Sequence, residues 1–201
     1  KPQVFVDDML DEAKAITPVN SLIFEDSFDD NRNGWLEGND NERFLNISDG
    51  YYNFSHKKKG NIAYTTAQSI KIRRSEDFLI ETLITKESGI NDYGFGITWG
   101  GTRDIQNMYT FEISSNGDYQ YGKMINDKFF PIVPWRNNAA INKYKASNHI
   151  SVRKKNKSLE LIINGIIVDT VVFEKFFGNY IGFRINNKQT IKISYIIVFK
   201  N

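Results

Sequence analysis

The chain has 201 residues, no cysteine, and 26 basic against 24 acidic residues, for a net charge of +2. That length suits a single β sandwich or barrel, and a composition 40% hydrophobic and 14% aromatic supports a buried core. These values exclude disulfides, thiolate metal sites and cysteine nucleophiles; they argue against a nucleic-acid partner, which calls for a more strongly basic face, and against a membrane span, since no apolar run approaches the roughly 20 residues required.

Residues 1–20 differ from the rest. Val6, Met9, Leu10, Ala13 and Ile16 recur at helix-like spacing among Asp7, Asp8, Asp11 and Glu12, and Thr17-Pro18 ends the pattern. This predicts a short amphipathic helix or a linker ahead of one domain over 21–201. Starting at Lys1 rather than Met, the chain reads as a processed or trimmed piece, and its wealth of Asn, Lys and Ile points to an AT-rich bacterial genome.

From Leu22 the period changes to two. Phe44–Ser48 and Tyr51–Ser55 are predicted strands joined at Asp49-Gly50, and Lys57-Lys58-Lys59 follows as a solvated turn. Phe78–Thr85 is rich in β-formers. Tyr109–Ile113 alternates cleanly and is joined through Asn116-Gly117 to Tyr119–Met124. Ile150–Val152 precedes a second solvated basic run, Arg153-Lys154-Lys155. Leu159–Ile163 turns at Asn164-Gly165 into Ile166–Phe173, and Ile191–Phe199 closes the chain. Asx-Gly dipeptides adopt positive φ at low cost, as two-residue hairpins require. The pattern predicts antiparallel meanders of roughly a dozen strands, with no long helix after residue 20 and so no βαβ architecture.

Several stretches resemble bacterial concanavalin A-like domains. They are Asn107–Ile113 with Asn116-Gly117-Asp118-Tyr119; Trp135, Ala140-Ile141 and Asn148–Val152; Leu159–Gly165; Gly178–Phe183; and the opening Phe24–Asp30 with Gly34-Trp35. The resemblance covers residues 22–199 and implies an all-β antiparallel sandwich, a concanavalin A-like jelly roll. That superfamily includes laminin G-like modules, legume-type lectins, family 16 glucanases and jelly rolls related to keto-glycoside hydrolases. It specifies fold more than function, since the same scaffold hosts binders and enzymes.

Family 16 glucanases carry acidic residues alternating along one strand, because retention needs two carboxyls about 5–5.5 Å apart. No strand here presents that set: Tyr109–Ser114 offers only Glu112, and Glu81 and Glu87 read as outward-facing charges. His56 and His149 are too few for a three-histidine zinc site and read as structural. The loop Asp29-x-Asn31-x-Asn33-Gly34, with Asp40 at the twelfth position, matches part of a calcium loop. Against it stand Asp in place of the bidentate Glu, neutral Asn ligands and a strand leading in; a loop held by Asx turns is the alternative.

In the jelly roll that the resemblance implies, the central strands form the concave face. Tyr93, Trp99, Tyr109, Tyr119, Tyr121 and Trp135 fall in that third of the chain. Aromatic planes stack on the apolar faces of sugar rings, while hydroxyls need charged or amide partners; Arg103, Glu112, Gln120, Lys123, Arg136 and Asn137 offer these. Core packing is the competing role for every one of these aromatics. The leading expectation is a non-catalytic carbohydrate-binding module working outside the cytoplasm or at the cell surface. Two alternatives stay open: a glycoside-active enzyme of the keto-glycoside hydrolase type using Glu112, Asp118 and Arg103, and a protein-interaction domain with a protein partner.

Overall fold

In the computed structural model, which describes residues 21–60, 63–73 and 75–200, the period-two segments pair into two antiparallel sheets. The expected helix or linker over residues 1–20 lies outside the described residues. The strands, in chain order, are β1 (Ser21–Asp26), β2 (Gly38–Asn39), β3 (Arg43–Ser48), β4 (Tyr51–His56), β5 (Ala63–Ser69), β6 (Phe78–Gly89), β7 (Phe95–Gly101), β8 (Met108–Ile113), β9 (Asp118–Ile125), β10 (Lys128–Asn137), β11 (Ser147–Lys155), β12 (Ser158–Ile163), β13 (Ile166–Val172), β14 (Tyr180–Asn186) and β15 (Gln189–Lys200). The described residues contain no helix.

The larger sheet has the order β13-β12-β11-β6-β15-β4-β3-β2, with β1 also paired to β15; the smaller runs β10-β9-β8-β7-β14-β5. Stacked face to face, they form a jelly-roll sandwich. The two longest strands, β6 and β15, pair at the centre of the larger sheet.

Local chemistry sets the hairpins. At Asp49-Gly50 and Asn164-Gly165 both turn residues have positive φ, as a two-residue antiparallel turn demands. Asn126 and Asp127 adopt the same pair of left-handed conformations between β9 and β10 (φ 51° and 61°). The sequence reading missed this turn because it contains no glycine.

Inward-facing positions of both sheets fill one core. Phe28, Trp35, Tyr52 and Phe183 pack with ring centroids 5.5–6.3 Å apart at one place within it, and Trp99, Tyr109 and Tyr121 stack at another. Trp35 is part of this core, and its indole N–H donates to Asp26 Oδ2 at 2.7 Å.

Candidate functional site: a polar cleft on the smaller sheet

Alternation along β8 sends Tyr109, Phe111 and Ile113 into the core and Thr110 and Glu112 to the opposite face. Across the sheet, Glu112 is level with Gln120 on β9 and Gly96 on β7, and Gly96 is level with Arg184 on β14. Gly96 has no side chain to stand between its neighbours, so Arg184 reaches over it. Arg184 Nε lies 3.1 Å from Glu112 Oε1.

Glu112 is only 1% exposed, and its carboxylate is saturated. Oε1 is ion-paired with Arg184 and accepts from the Thr110 hydroxyl at 3.0 Å; Oε2 accepts from Gln120 Nε2 and Asn186 Nδ2, both at 2.9 Å. Arg184 Nη1 also donates to Thr65 Oγ1 at 3.2 Å. Burying a charge is tolerable when it is paired and hydrogen-bonded in this way. The arrangement holds one guanidinium and two amides in fixed orientation on a buried anion.

These groups line a cleft of about 410 Å³, within the ~300–1,000 Å³ span of small-molecule sites. Asp92, Tyr93 and Gly94 of the β6–β7 loop and Phe129 and Trp135 of the edge strand β10 also line it. Irregular register on either side of Val133 re-aims the end of β10 and leaves Trp135 42% exposed at the mouth. Gly94 is needed at the floor, because a Cβ there would collide with Glu112 Oε2 and stand 3.0 Å from the Trp135 ring. The arrangement pairs an exposed aromatic plane with oriented donors and a carboxylate, Asp92.

The structure thus gathers four of the expected ligand-binding residues, Tyr93, Glu112, Gln120 and Trp135, at this cleft and places the others elsewhere. Trp99, Tyr109 and Tyr121 point inward by strand alternation and are at most 2% exposed, closed to any ligand on the sheet's face. Burial pushes the Tyr109 and Tyr121 hydroxyls well above the ordinary tyrosine range. Tyr119 is also buried, and its hydroxyl donates to the Val168 carbonyl at 3.0 Å. Arg136 reaches away to Asp169 of the other sheet (3.1 Å), bracing the sandwich edge. Arg103 is exposed in the β7–β8 turn, which connects the ends of those strands remote from Gly94 and Glu112. Asp118 accepts from Asn137 Nδ2 at 2.9 Å, and Lys123 pairs with Glu174 at 2.6 Å.

Asp92, Phe129, Arg184 and Asn186 were missed. Arg184 and Asn186 alternate with Phe183 and Ile185, which is a legible outward pair, but their meeting with Glu112 depends on a long-range strand pairing.

The expected calcium ligands are dispersed into separate hydrogen-bonding roles. Asn31 Oδ1 accepts from the Trp35 N–H at 2.7 Å, and its Nδ2 donates to the Trp35 carbonyl and to Glu37. Asn33 Nδ2 donates to Asp26 at 2.7 Å, and Asp29 Oδ2 accepts from the Ser27 hydroxyl at 2.6 Å. Asp40 Oδ1 accepts two backbone N–H groups, at Glu42 and Arg43, in the β2–β3 turn. Calcium needs six to eight oxygens turned on one point; here Asn33 turns its nitrogen to Asp26, and the oxygens of Asn31 and Asp40 already accept backbone N–H groups. This is the Asx-turn alternative, and the four residues do not fit the ion. Among the described residues no three acidic or histidine side chains group as a metal site. His56 is buried in β4 with Nδ1 accepting from the Lys58 N–H, and burial lowers the pKa of His149.

No protein-family model matches the chain, and no curated protein matches it by sequence. Solved structures do resemble it in fold. A carbohydrate-binding module, CBM66, from Bacillus subtilis is similar at TM-score 0.57 and 14% identity, over 81% of this chain and 94% of that one. The CBM2 module of the evolved Dit protein of Lactobacillus casei BL23 phage J-1 gives 0.61 at 9% identity, over 90% and 95%. The catalytic domain of an endo-1,3-β-glucanase (laminarinase) from Thermotoga petrophila gives 0.56 at 11% identity, over 92% and 99%. Together with the two-sheet topology, these likenesses establish a concanavalin A-like jelly roll.

Proposed function

We propose that this domain is a non-catalytic carbohydrate-binding module that takes a glycan in the cleft between Trp135 and the Glu112–Arg184 pair. The observation that carries the reading is a half-exposed tryptophan beside amide and guanidinium groups prefixed on a buried carboxylate. A sugar ring needs both elements, an apolar plane for its C–H face and oriented polar groups for its hydroxyls. Two of the structural neighbours being carbohydrate-binding modules supports it. Binding rather than turnover follows from the state of Glu112: with Arg184 and Thr110 on one oxygen and Gln120 and Asn186 on the other, it serves as an anchor for those groups and not as an acid or nucleophile. A polymeric glycan ligand would place the domain's work outside the cytoplasm.

The test is calorimetric titration with neutral cello-, xylo-, laminari- and fructo-oligosaccharides, alongside a glycan array that includes acidic and amino sugars. Binding that is lost in Trp135→Ala with the fold intact supports the proposal. Absence of binding across the whole array overturns it.

A further inference from the structure

We propose that Lys86 is a positioning residue of the cleft: through its ammonium and Gln189 it fixes the spacing of the two sheet-to-sheet crossovers that carry Asp92, Tyr93, Gly94 and Asn186. For its ligand the inference rests on the glycan-binding reading above.

Lys86 projects from β6 of the larger sheet into the interior and is 2% exposed. Among the described residues no carboxylate forms an ion pair with it. Its ammonium donates to the Ile90 carbonyl at 2.7 Å and to Gln189 Oε1, over the ring of Phe95 at 5.7 Å. A buried cation held by neutral acceptors is costly, and an aliphatic side chain would fill the space at lower cost; such groups gather at functional sites.

The two acceptors indicate what the charge does. Ile90 opens the β6–β7 crossover, which passes from the larger sheet to the smaller and bears Asp92, Tyr93 and Gly94. Gln189 closes the β14–β15 crossover, which returns beside it and bears Asn186. With its oxygen on Lys86, Gln189 turns its amide nitrogen to the Gly94 carbonyl at 3.1 Å and the Asn186 carbonyl at 2.5 Å. The crossovers are further joined by Ile90 N–H to the Lys188 carbonyl (3.0 Å) and Asn186 N–H to the Gly94 carbonyl (2.9 Å). Asn186 Nδ2, held here, is one of the three donors hydrogen-bonded to Glu112. Lys86 therefore lies one hydrogen-bonded layer beneath the cleft wall.

The ionisable group whose charge bears on Lys86 is Asp92, which favours the ammonium. Glu87, the next residue along β6, is paired with Lys192 at 3.3 Å, and Phe95 and Gln189 are neutral. Burial nonetheless lowers Lys86 from 10.5 to about 8. Deprotonation leaves both hydrogen bonds in place without their charge assistance, which weakens them.

The experiment compares wild type, Lys86→Met and Lys86→Arg by amide hydrogen exchange and by titration with the neutral oligosaccharide panel from pH 7 to 9.5. Exchange at the Ile90 and Asn186 amides is expected to rise at least tenfold in Lys86→Met, with the global unfolding midpoint no lower than in wild type. Wild-type affinity is expected to weaken roughly threefold to tenfold over that pH range. Lys86→Arg, which keeps its proton, should hold the crossovers and show a flat profile. Unchanged exchange in Lys86→Met, or a wild-type pH profile as flat as that of Lys86→Arg, overturns the assignment. If wild type binds no glycan at all, the function proposed above fails, and the exchange data alone decide the anchoring role.

Discussion

Glu112 and Arg184 meet at 3.1 Å across a strand position, Gly96, that has no side chain. The pair spans three strands and brings together parts of the chain 72 residues apart, the difference between 184 and 112. Removing one member of a buried pair leaves the other uncompensated, which costs about 3–5 kcal/mol. Glu112→Ala is therefore expected to lower unfolding free energy by that order in urea titration and to abolish glycan binding. Glu112→Gln should fold better and still bind poorly, because a single amide oxygen cannot orient the Thr110, Gln120 and Asn186 donors and no longer carries the charge that pairs with Arg184. Wild-type affinity in Glu112→Gln would remove Glu112 from the site.

Trp135 and Trp99 should separate cleanly. Trp135, exposed on an edge strand, is expected to cost under about 0.5 kcal/mol as Ala, as surface positions do, while affinity falls at least tenfold. Trp99, stacked on Tyr121 at 5.7 Å, is expected to cost about 3–5 kcal/mol as Ala. Thermal unfolding and titration of the two variants read out both effects; equal destabilisation by the two would contradict the placement of Trp135.

Gly94→Ala tests the cleft by filling it. The added methyl meets Glu112 and Trp135 rather than open solvent. Affinity for the panel is expected to drop at least tenfold while circular dichroism is unchanged. Undiminished binding would move the ligand elsewhere on the sheet.

Lys86 should also mark the pH dependence of stability. In the unfolded chain it keeps its proton up to about 10.5; in the fold burial brings that to about 8. Between those values the unfolded chain binds more protons, so this group makes stability rise with pH. The gain is about 2 kcal/mol from pH 8 to 9.5, and below pH 8 its full cost is present. Urea unfolding at both pH values should show the rise in wild type and not in Lys86→Met.

The loop after β1 is expected to depend on Asp26 rather than on calcium. Asp26 accepts from the Phe28 N–H, Asn33 Nδ2 and the Trp35 indole N–H. Asp26→Ala should lower stability by about 2–3 kcal/mol, since three donors lose their acceptor. Calcium and chelator should leave the wild-type melting temperature unmoved; a calcium-dependent rise would restore the metal reading of Asp29, Asn31, Asn33 and Asp40.

Much of this architecture can be read along the chain. The alternation of Tyr109–Ile113 and the Asp49-Gly50 and Asn164-Gly165 turns follow from side-chain period and backbone sterics, which are local properties. They lead to an antiparallel sandwich, and Glu112 stands out as the one outward acid on its strand. The aromatics show where local reading stops. Trp99, Tyr109 and Tyr121 look like Trp135 in sequence, because period two divides a strand into two faces without saying which is buried.

The sequence alone therefore determined the fold class and the glycine-marked hairpins, and it singled out Tyr93, Glu112, Gln120 and Trp135, which line the cleft. Tertiary structure decided which face each strand presents, that Arg184 and Asn186 arrive beside Glu112, and that Lys86 supports the cleft from beneath. The physical reason is the range of the interactions. Turn and strand preferences act over a few residues, whereas the cleft is assembled by strand pairings and inter-sheet packing between segments distant in the chain.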